Sequence, residues 1–161
     1  MRVKRLLILR HAKSSWNDAS LDDWERPLSG RGVRDAPRVG ELLRDQSLIP
    51  DLIITSDAVR ARTTAEAAAQ TAGYTREIVV EPSLYHATPD DIVAVLNTVP
   101  DDSAGTILVV GHNPGLEELI EQLSGERHRL PTAGLVQLAL PVGRWRDLEP
   151  SIRATVVACW L

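Results

Sequence analysis

Leu6-Leu7-Ile8-Leu9 runs straight into Arg10-His11-Ala12, and the reading of that junction decides the fold. Four consecutive apolar residues between charged neighbours suit a strand buried on both faces, the kind found in parallel sheets. Such a strand has no structural use for Arg10 and His11 at its end, whereas a ligand site does. In open α/β sheets, ligands sit outside the carboxyl ends of the strands. Lys13, Ser14 and Ser15 follow and add donors and positive charge. The expectation is an anion site at this sheet edge, with its other walls supplied from elsewhere in the chain.

The chain has 161 residues, enough for one domain with a substantial core, and shows no internal repeat and no low-complexity linker. Hydrophobic residues make up 43% and charged residues 25%, the balance of a soluble globular protein. Phe is absent and aromatics amount to 4%, so Leu, Val, Ile and Ala must form the core. The net charge of −4, without a long run of one sign, argues against a nucleic-acid partner. A single cysteine, Cys159, excludes an internal disulfide, and no Cys/His spacing of a zinc site occurs. The apolar run behind Arg2, Lys4 and Arg5 is too short for a signal peptide. No run approaches the roughly 20 residues of a membrane helix. We therefore expect one domain over residues 1–161, cytoplasmic, with neither membrane nor nucleic acid as partner.

Outward from the first strand, Trp16 to Pro27 reads as a polar loop carrying Asp18, Asp22, Asp23 and Glu25. Ser29 is a plausible N-cap for a helix whose buried stripe is Val33, Ala36, Gly40 and Leu43, and Pro37 should kink it. Asp51–Thr55 is a second strand. Ser56-Asp57 then caps an Ala-rich helix that ends at Gly73 and holds Arg60 in its first turn. Glu77–Val80 is a short third strand. Thr88 caps a helix with Pro89 at its first position, acids in its first turn, and a stripe of Ile92, Val95 and Leu96. Thr106–Val110 is the clearest strand. After it, Asn113 caps a helix with Pro114 first, a stripe of Leu116, Leu119, Ile120 and Leu123, and Gly125 at its end. Gly134–Leu140 and Ile152–Trp160 read as two last strands, antiparallel neighbours. Strand–helix alternation through the body implies an α/β fold with a mainly parallel sheet.

Arg10-His11 ends one strand, Arg60 follows a second by one helical turn, and His112 ends a third. A parallel sheet gathers those ends on one edge. Two arginines, two histidines and two helix N-termini there suit a phosphate. Imidazole adds chemistry: one ring nitrogen can attack phosphorus while a carbonyl holds the other. The pattern points to phosphoryl transfer through a phosphohistidine on His11. His112 would hold a transferring oxygen, and Arg10 and Arg60 would neutralise charge, so that no metal or other cofactor is called for. Each residue also has a plain reading. His11 and His112 could be surface or loop histidines, and Arg60 could be a solvated helix residue that Arg62 would match. His128 between Arg127 and Arg129 reads as a solvated loop charge, and Cys159 as core. Trp16, Trp24, Trp145 and Trp160 are scattered without the periodicity of a nucleic-acid platform.

Four ordered blocks carry a family resemblance: Leu9-Arg10-His11-Ala12, Arg26-Pro27-Leu28-Ser29 with Gly32, Ser56 to Thr64, and Val110-Gly111-His112-Asn113-Pro114. Together they resemble the histidine phosphatase superfamily, which includes the cofactor-dependent phosphoglycerate mutases. They are most similar to its SixA-type phosphohistidine phosphatase branch. The resemblance implies a three-layer α/β/α sandwich whose sheet is parallel apart from one strand. It also implies His11 as nucleophile, with Arg10, Arg60 and His112 around the phosphate. Arg26 is open to two readings, an outer phosphate contact or a partner for the acids of the preceding loop. Ser14 and Lys13 are further substrate-side candidates. Much of the family has Gly and then an acid after the RH pair, where this chain has Ala12 and Lys13; Lys13 could favour an acidic substrate or be solvated. For the proton donor that many members take from the segment after the third strand, Glu81, His86 and Asp90 are the candidates. Short loops leave little room for a capping insertion, which favours a phosphorylated protein as substrate. A phosphorylated small molecule, handled by a phosphatase or mutase, is the alternative, and a non-catalytic phosphoprotein-binding module is another.

Overall fold

Every side chain from Leu6 to Leu9 is fully buried, and successive ones point to opposite faces of the sheet, so one strand seeds two cores. The computed structural model describes residues 3–100 and 104–161. Among them strands and helices run in the order β1 (Lys4–Arg10), α1 (Gly30–Asp45), β2 (Leu52–Thr55), α2 (Val59–Ala72), β3 (Ile78–Val80), α3 (Pro89–Asn97), β4 (Thr106–Gly111), α4 (Gly115–Ser124), β5 (Leu135–Leu140) and β6 (Thr155–Trp160). The sheet order is β3-β2-β4-β1-β5-β6. Strands β3, β2, β4 and β1 are mutually parallel, and β5 runs antiparallel to both β1 and β6. That is the α/β sandwich with one reversed strand. Leu6 and Ile8 pack with Ile92, Leu96, Leu116 and Ile120 of α3 and α4. Leu7 and Leu9 pack with Leu43 of α1 and Ala61, Ala65 and Ala68 of α2.

The helices follow the predicted elements with some local corrections. Ser29 caps α1, its side chain accepting from the Gly32 amide at 3.2 Å. The buried face of α1 is Gly32, Ala36, Val39, Gly40 and Leu43. Val33 belongs to the opposite side and is 60% exposed, because the stripe starts one residue earlier than its apolar pattern suggests. The helix runs unbroken through Pro37. Pro37 lacks the amide that would pair with the Val33 carbonyl, and Val33 belongs to the exposed side. Helix α2 is capped at Ala58, not at Ser56-Asp57, and closes on Gly73 in the left-handed conformation (φ 80°). Thr88 and Asp91 form a reciprocal capping box at α3, where Val93 takes the buried place expected of Val95. Helix α4 starts at Gly115, one residue after Pro114, which follows a cis peptide bond. The side chain of Asn113 therefore does not cap it, and donates instead to the Leu130 carbonyl at 2.8 Å. No helix among the described residues is long and apolar enough to cross a membrane.

Helices α1 and α2 touch backbone to backbone at Gly40. A Cβ there would collide with Thr71 Oγ1, the Ala68 carbonyl and the Ala72 amide. The Thr71 hydroxyl also donates to the Pro37 carbonyl at 2.7 Å, so this point both packs and hydrogen-bonds the two helices. Gly40→Ala should overpack the contact and lower the thermal midpoint by roughly 3–10 °C, read by circular dichroism. An unchanged midpoint would show that the helices do not approach this closely in solution.

Candidate active site

Parallel pairing sets the site. Arg10 on β1 lies opposite Gly111 on β4, so the next residues on each strand, His11 and His112, emerge together at the carboxyl edge. Their ring centroids are 5.2 Å apart. The His11 amide donates to the Gly111 carbonyl at 3.1 Å, extending the ladder past the last strand residue. The neighbouring strand β2 ends at Thr55, and the hydroxyl of the next residue, Ser56, lies 2.8 Å from His112 Nε2. His11 and His112 border one cavity of about 560 Å3 together with Arg10, Arg26 and Arg60.

The His11 ring is oriented by a short bond. Its Nδ1 lies 2.7 Å from the Ala12 carbonyl. A carbonyl only accepts, so Nδ1 carries the proton and Nε2 keeps its lone pair. Burial, helped by the charges of Arg60, Arg10 and Arg26, pushes the imidazole down to about 4 against the pull of the Ala12 bond. The ring is therefore neutral at neutral pH. His112 is pushed down to about 3, again chiefly by burial, with His11, Arg60 and His86 adding to it. Its Nδ1 is buried and has no partner among the described residues, and the Nε atoms of Arg10 and Arg60 share that condition. Buried polar atoms without partners are rare, and these three belong to residues that border a cavity rich in positive charge. Such a cavity suits an oxyanion.

Each arginine is held from behind. Arg10 Nη1 donates to the Leu130 carbonyl at 3.3 Å. Arg60, 5% exposed, reaches across from the first turn of α2 to Asp23, giving Nη1 to its carbonyl at 2.7 Å and Nη2 to its carboxylate at 2.9 Å. Arg26 gives Nη1 to the same carboxylate at 2.8 Å, Nη2 to the Ser14 hydroxyl, and Nε to the Ser15 carbonyl at 3.1 Å. The Tyr85 hydroxyl donates to Asp23 at 2.6 Å. That bond, with those from Arg26 and Arg60, holds the Asp23 carboxyl well below the usual carboxylate range. The strand end and the helix are also tied directly. The Thr64 hydroxyl accepts from the Ala12 amide at 3.0 Å and donates to the Arg60 carbonyl at 2.7 Å.

Of the residues expected at the site, the structure gathers Arg10, His11, Lys13, Ser14, Arg26, Arg60, His86 and His112 around the cavity, with Lys13 exposed. Arg62 does not border it. Glu81 and Asp90 do not border it either. The Glu81 carboxylate accepts from the Ser83 amide and hydroxyl, capping the short turn Pro82–Leu84, and Asp90 is an exposed first-turn acid of α3. His86 borders the cavity from a left-handed backbone (φ 55°) and lies against Tyr85, the ring centroids 3.9 Å apart and the planes tilted by 42°. Several bordering or supporting residues were not expected in these roles: Asp23, Trp16, Asn113 and Thr132 in the lining, and Ser56 and Tyr85 behind it. Asp23 had a signal, since pairing with a loop acid was one of the two readings of Arg26. No cluster of three or more His, Cys, Asp or Glu suited to a metal ion occurs among the described residues.

The histidine phosphatase superfamily (branch 1) matches residues 6–88, from the first strand to the turn before α3. An uncharacterised protein of Mycobacterium tuberculosis is 36% identical over 159 residues, covering 92% of this chain and 96% of its own length. Two solved structures assigned as phosphohistidine phosphatase SixA superpose on the chain at 26% identity. The one from Nakamurella multipartitia has a TM-score of 0.85 and covers 100% of this chain and 97% of its own. The one from Agrobacterium tumefaciens has a TM-score of 0.83 and covers 98% and 97%. The chain belongs to the histidine phosphatase superfamily, branch 1.

Proposed function

We propose that the chain is a phosphatase that works through a phosphohistidine on His11, with a phosphorylated histidine of a protein as substrate. The observation that carries this reading is the His11 ring. It is neutral, its Nδ1–H is anchored on the Ala12 carbonyl, and its Nε2 lone pair is left for attack among three arginines. The two relatives assigned as SixA support the choice of substrate.

In the first step His11 Nε2 attacks phosphorus, the P–N bond to the substrate breaks, and its electron pair leaves with the substrate imidazole, which takes up a proton. Arg10, Arg26 and Arg60 balance the charge on the equatorial oxygens. His112 donates from Nδ1 to one of them while the Ser56 hydroxyl donates to its Nε2. In the second step water adds to phosphorus, the P–Nε2 bond breaks with its pair returning to His11, and inorganic phosphate leaves carrying the water's hydrogens. These residues suffice for both steps without a metal or cofactor. His86 is the proton donor where the leaving group needs one, because of the three candidates it alone borders the cavity. Ser14 acts through Arg26, and Lys13 meets the substrate at the rim. We place the enzyme in the cytoplasm.

Mixing the protein with a 32P-labelled phosphoryl donor and quenching within milliseconds should trap an acid-labile, base-stable label that is absent from His11→Ala. Turnover without any label on His11 would overturn the reading.

Asp23→Asn removes the charge that fixes Arg60 and Arg26. We expect kcat/KM to fall roughly 10- to 100-fold, the cost of misplacing charge-stabilising groups. A rise would show that Asp23 competes with substrate for Arg60.

The depressed histidines set the pH dependence. His11 is lost as a nucleophile only as pH falls through about 4, so the enzyme's acid limb in kcat/KM, corrected for substrate ionisation, should lie below pH 5. An enzyme limb near 6.5 would contradict a neutral buried nucleophile. Stability follows the same sign: between about 6.5 and 4 the unfolded chain binds more protons than the native one, so acidification over that window destabilises the fold. His11→Asn should flatten that slope in denaturant titrations.

A further inference from the structure

Trp16 is 71% exposed, the most exposed large apolar side chain among the described residues, and it stands at the mouth of the cavity that holds His11. It is not loosely placed. The Arg26 guanidinium carbon lies 3.2 Å from the indole centroid, and Arg26 is itself 6% exposed and pinned by Ser15, Ser14 and Asp23. A large ring is thus fixed on one face by a cation, while most of its surface is left open at the rim. Lys13 and His86, also exposed, line the same cavity. An in-line displacement places the leaving group on the side of phosphorus opposite the attacking Nε2 of the buried His11, and the exposed members of the lining, Trp16 among them, are where such a group can extend.

We propose that Trp16 is the leaving-group subsite, a stacking platform for a planar aromatic ring bonded through its phosphoryl group. Resting on the phosphatase reading above, we identify that ring as the imidazole of a phosphorylated histidine. Indole offers a flat apolar face, which an aromatic leaving group matches and an alkyl chain does not. Because Arg26 already holds the ring, little side-chain entropy is lost when a substrate stacks on it.

The alternative role for Trp16 is to shield Arg26 from water, and selectivity separates the two. Wild type, Trp16→Ala and Trp16→Phe are compared on phosphoimidazole, phenyl phosphate and an alkyl phosphate, and inorganic phosphate is tested as an inhibitor of each. The platform requires that Trp16→Ala lower the kcat/KM ratio of phosphoimidazole over alkyl phosphate roughly 5- to 20-fold, mainly through KM, with the phosphate inhibition constant retained. Trp16→Phe should restore most of the ratio. An equal loss on all three substrates with weaker phosphate inhibition, or no change at all, would overturn the subsite. A loss confined to phenyl phosphate would overturn histidine as the source of the ring. Wild type that labels His11 but shows no Trp16 effect refutes the platform alone, whereas wild type that turns over none of the three substrates refutes the phosphatase reading and the platform with it.

Discussion

The register of β1 on β4 is the constraint on which the rest depends. Arg10 opposite Gly111 places two histidines, 101 positions apart in the chain, at adjacent points of one edge. The register cannot drift, because Leu6 to Leu9 are fully buried and a slip of one residue would exchange the faces they present to the two helical layers. Strand β5 closes the other side of β1, and the Ala133 amide donates to both the Arg10 and His11 carbonyls at 3.1 Å. Hydrophobic packing thus fixes the backbone from which the imidazoles project, and the Ala12 carbonyl fixes a tautomer. The step from apolar patterning to imidazole geometry passes through a single strand.

Electrostatics complete what topology begins. Burial keeps both imidazoles uncharged, and the arginines keep the cavity positive without help from them. A cavity with several cations and no anion would be expensive to fold, because guanidinium groups 5–6% exposed need partners. The Asp23 carboxylate is that partner for two of them, and the Tyr85 hydroxyl saturates it further. The anion comes from the Trp16–Pro27 loop and not from the sheet. The folded state thereby contains a built-in counterion whose contacts also set where the guanidinium planes lie.

Much of this was legible in the sequence, and the limits have physical causes. Doubly buried strands announce themselves as apolar runs, so β1, β2 and β4 and the residues at their ends were readable. Helix ends were less so. Ser56 looks like an N-cap because serine before an Ala-rich helix usually is one, yet its hydroxyl is used by His112 and the helix begins three residues later. Val33 has the right spacing for a buried stripe, but Gly32 allows α1 to pack against the Lys13 backbone, which turns Val33 outward. Asp23 is one of four acids in its loop, and only the folded chain shows which of them meets Arg60, 37 residues away. Local pattern carries element identity. Contacts between distant segments carry the charge network.

The segment from Lys13 to Ser29 is closed largely on itself: Ser15 bonds to the Pro27 carbonyl, Ser29 to the Lys13 carbonyl, and Ser14 bridges Leu28. The strand ends carry the imidazoles, whereas this loop carries Trp16 and Lys13 together with Asp23 and Arg26. Such a division separates inheritance of chemistry from inheritance of selectivity. Lineages or engineers could exchange the loop residues between Ala12 and Gly30 other than Ser14, Asp23 and Arg26, and so vary what meets the cavity rim while the guanidinium anchors and the strand-end imidazoles are passed on unchanged.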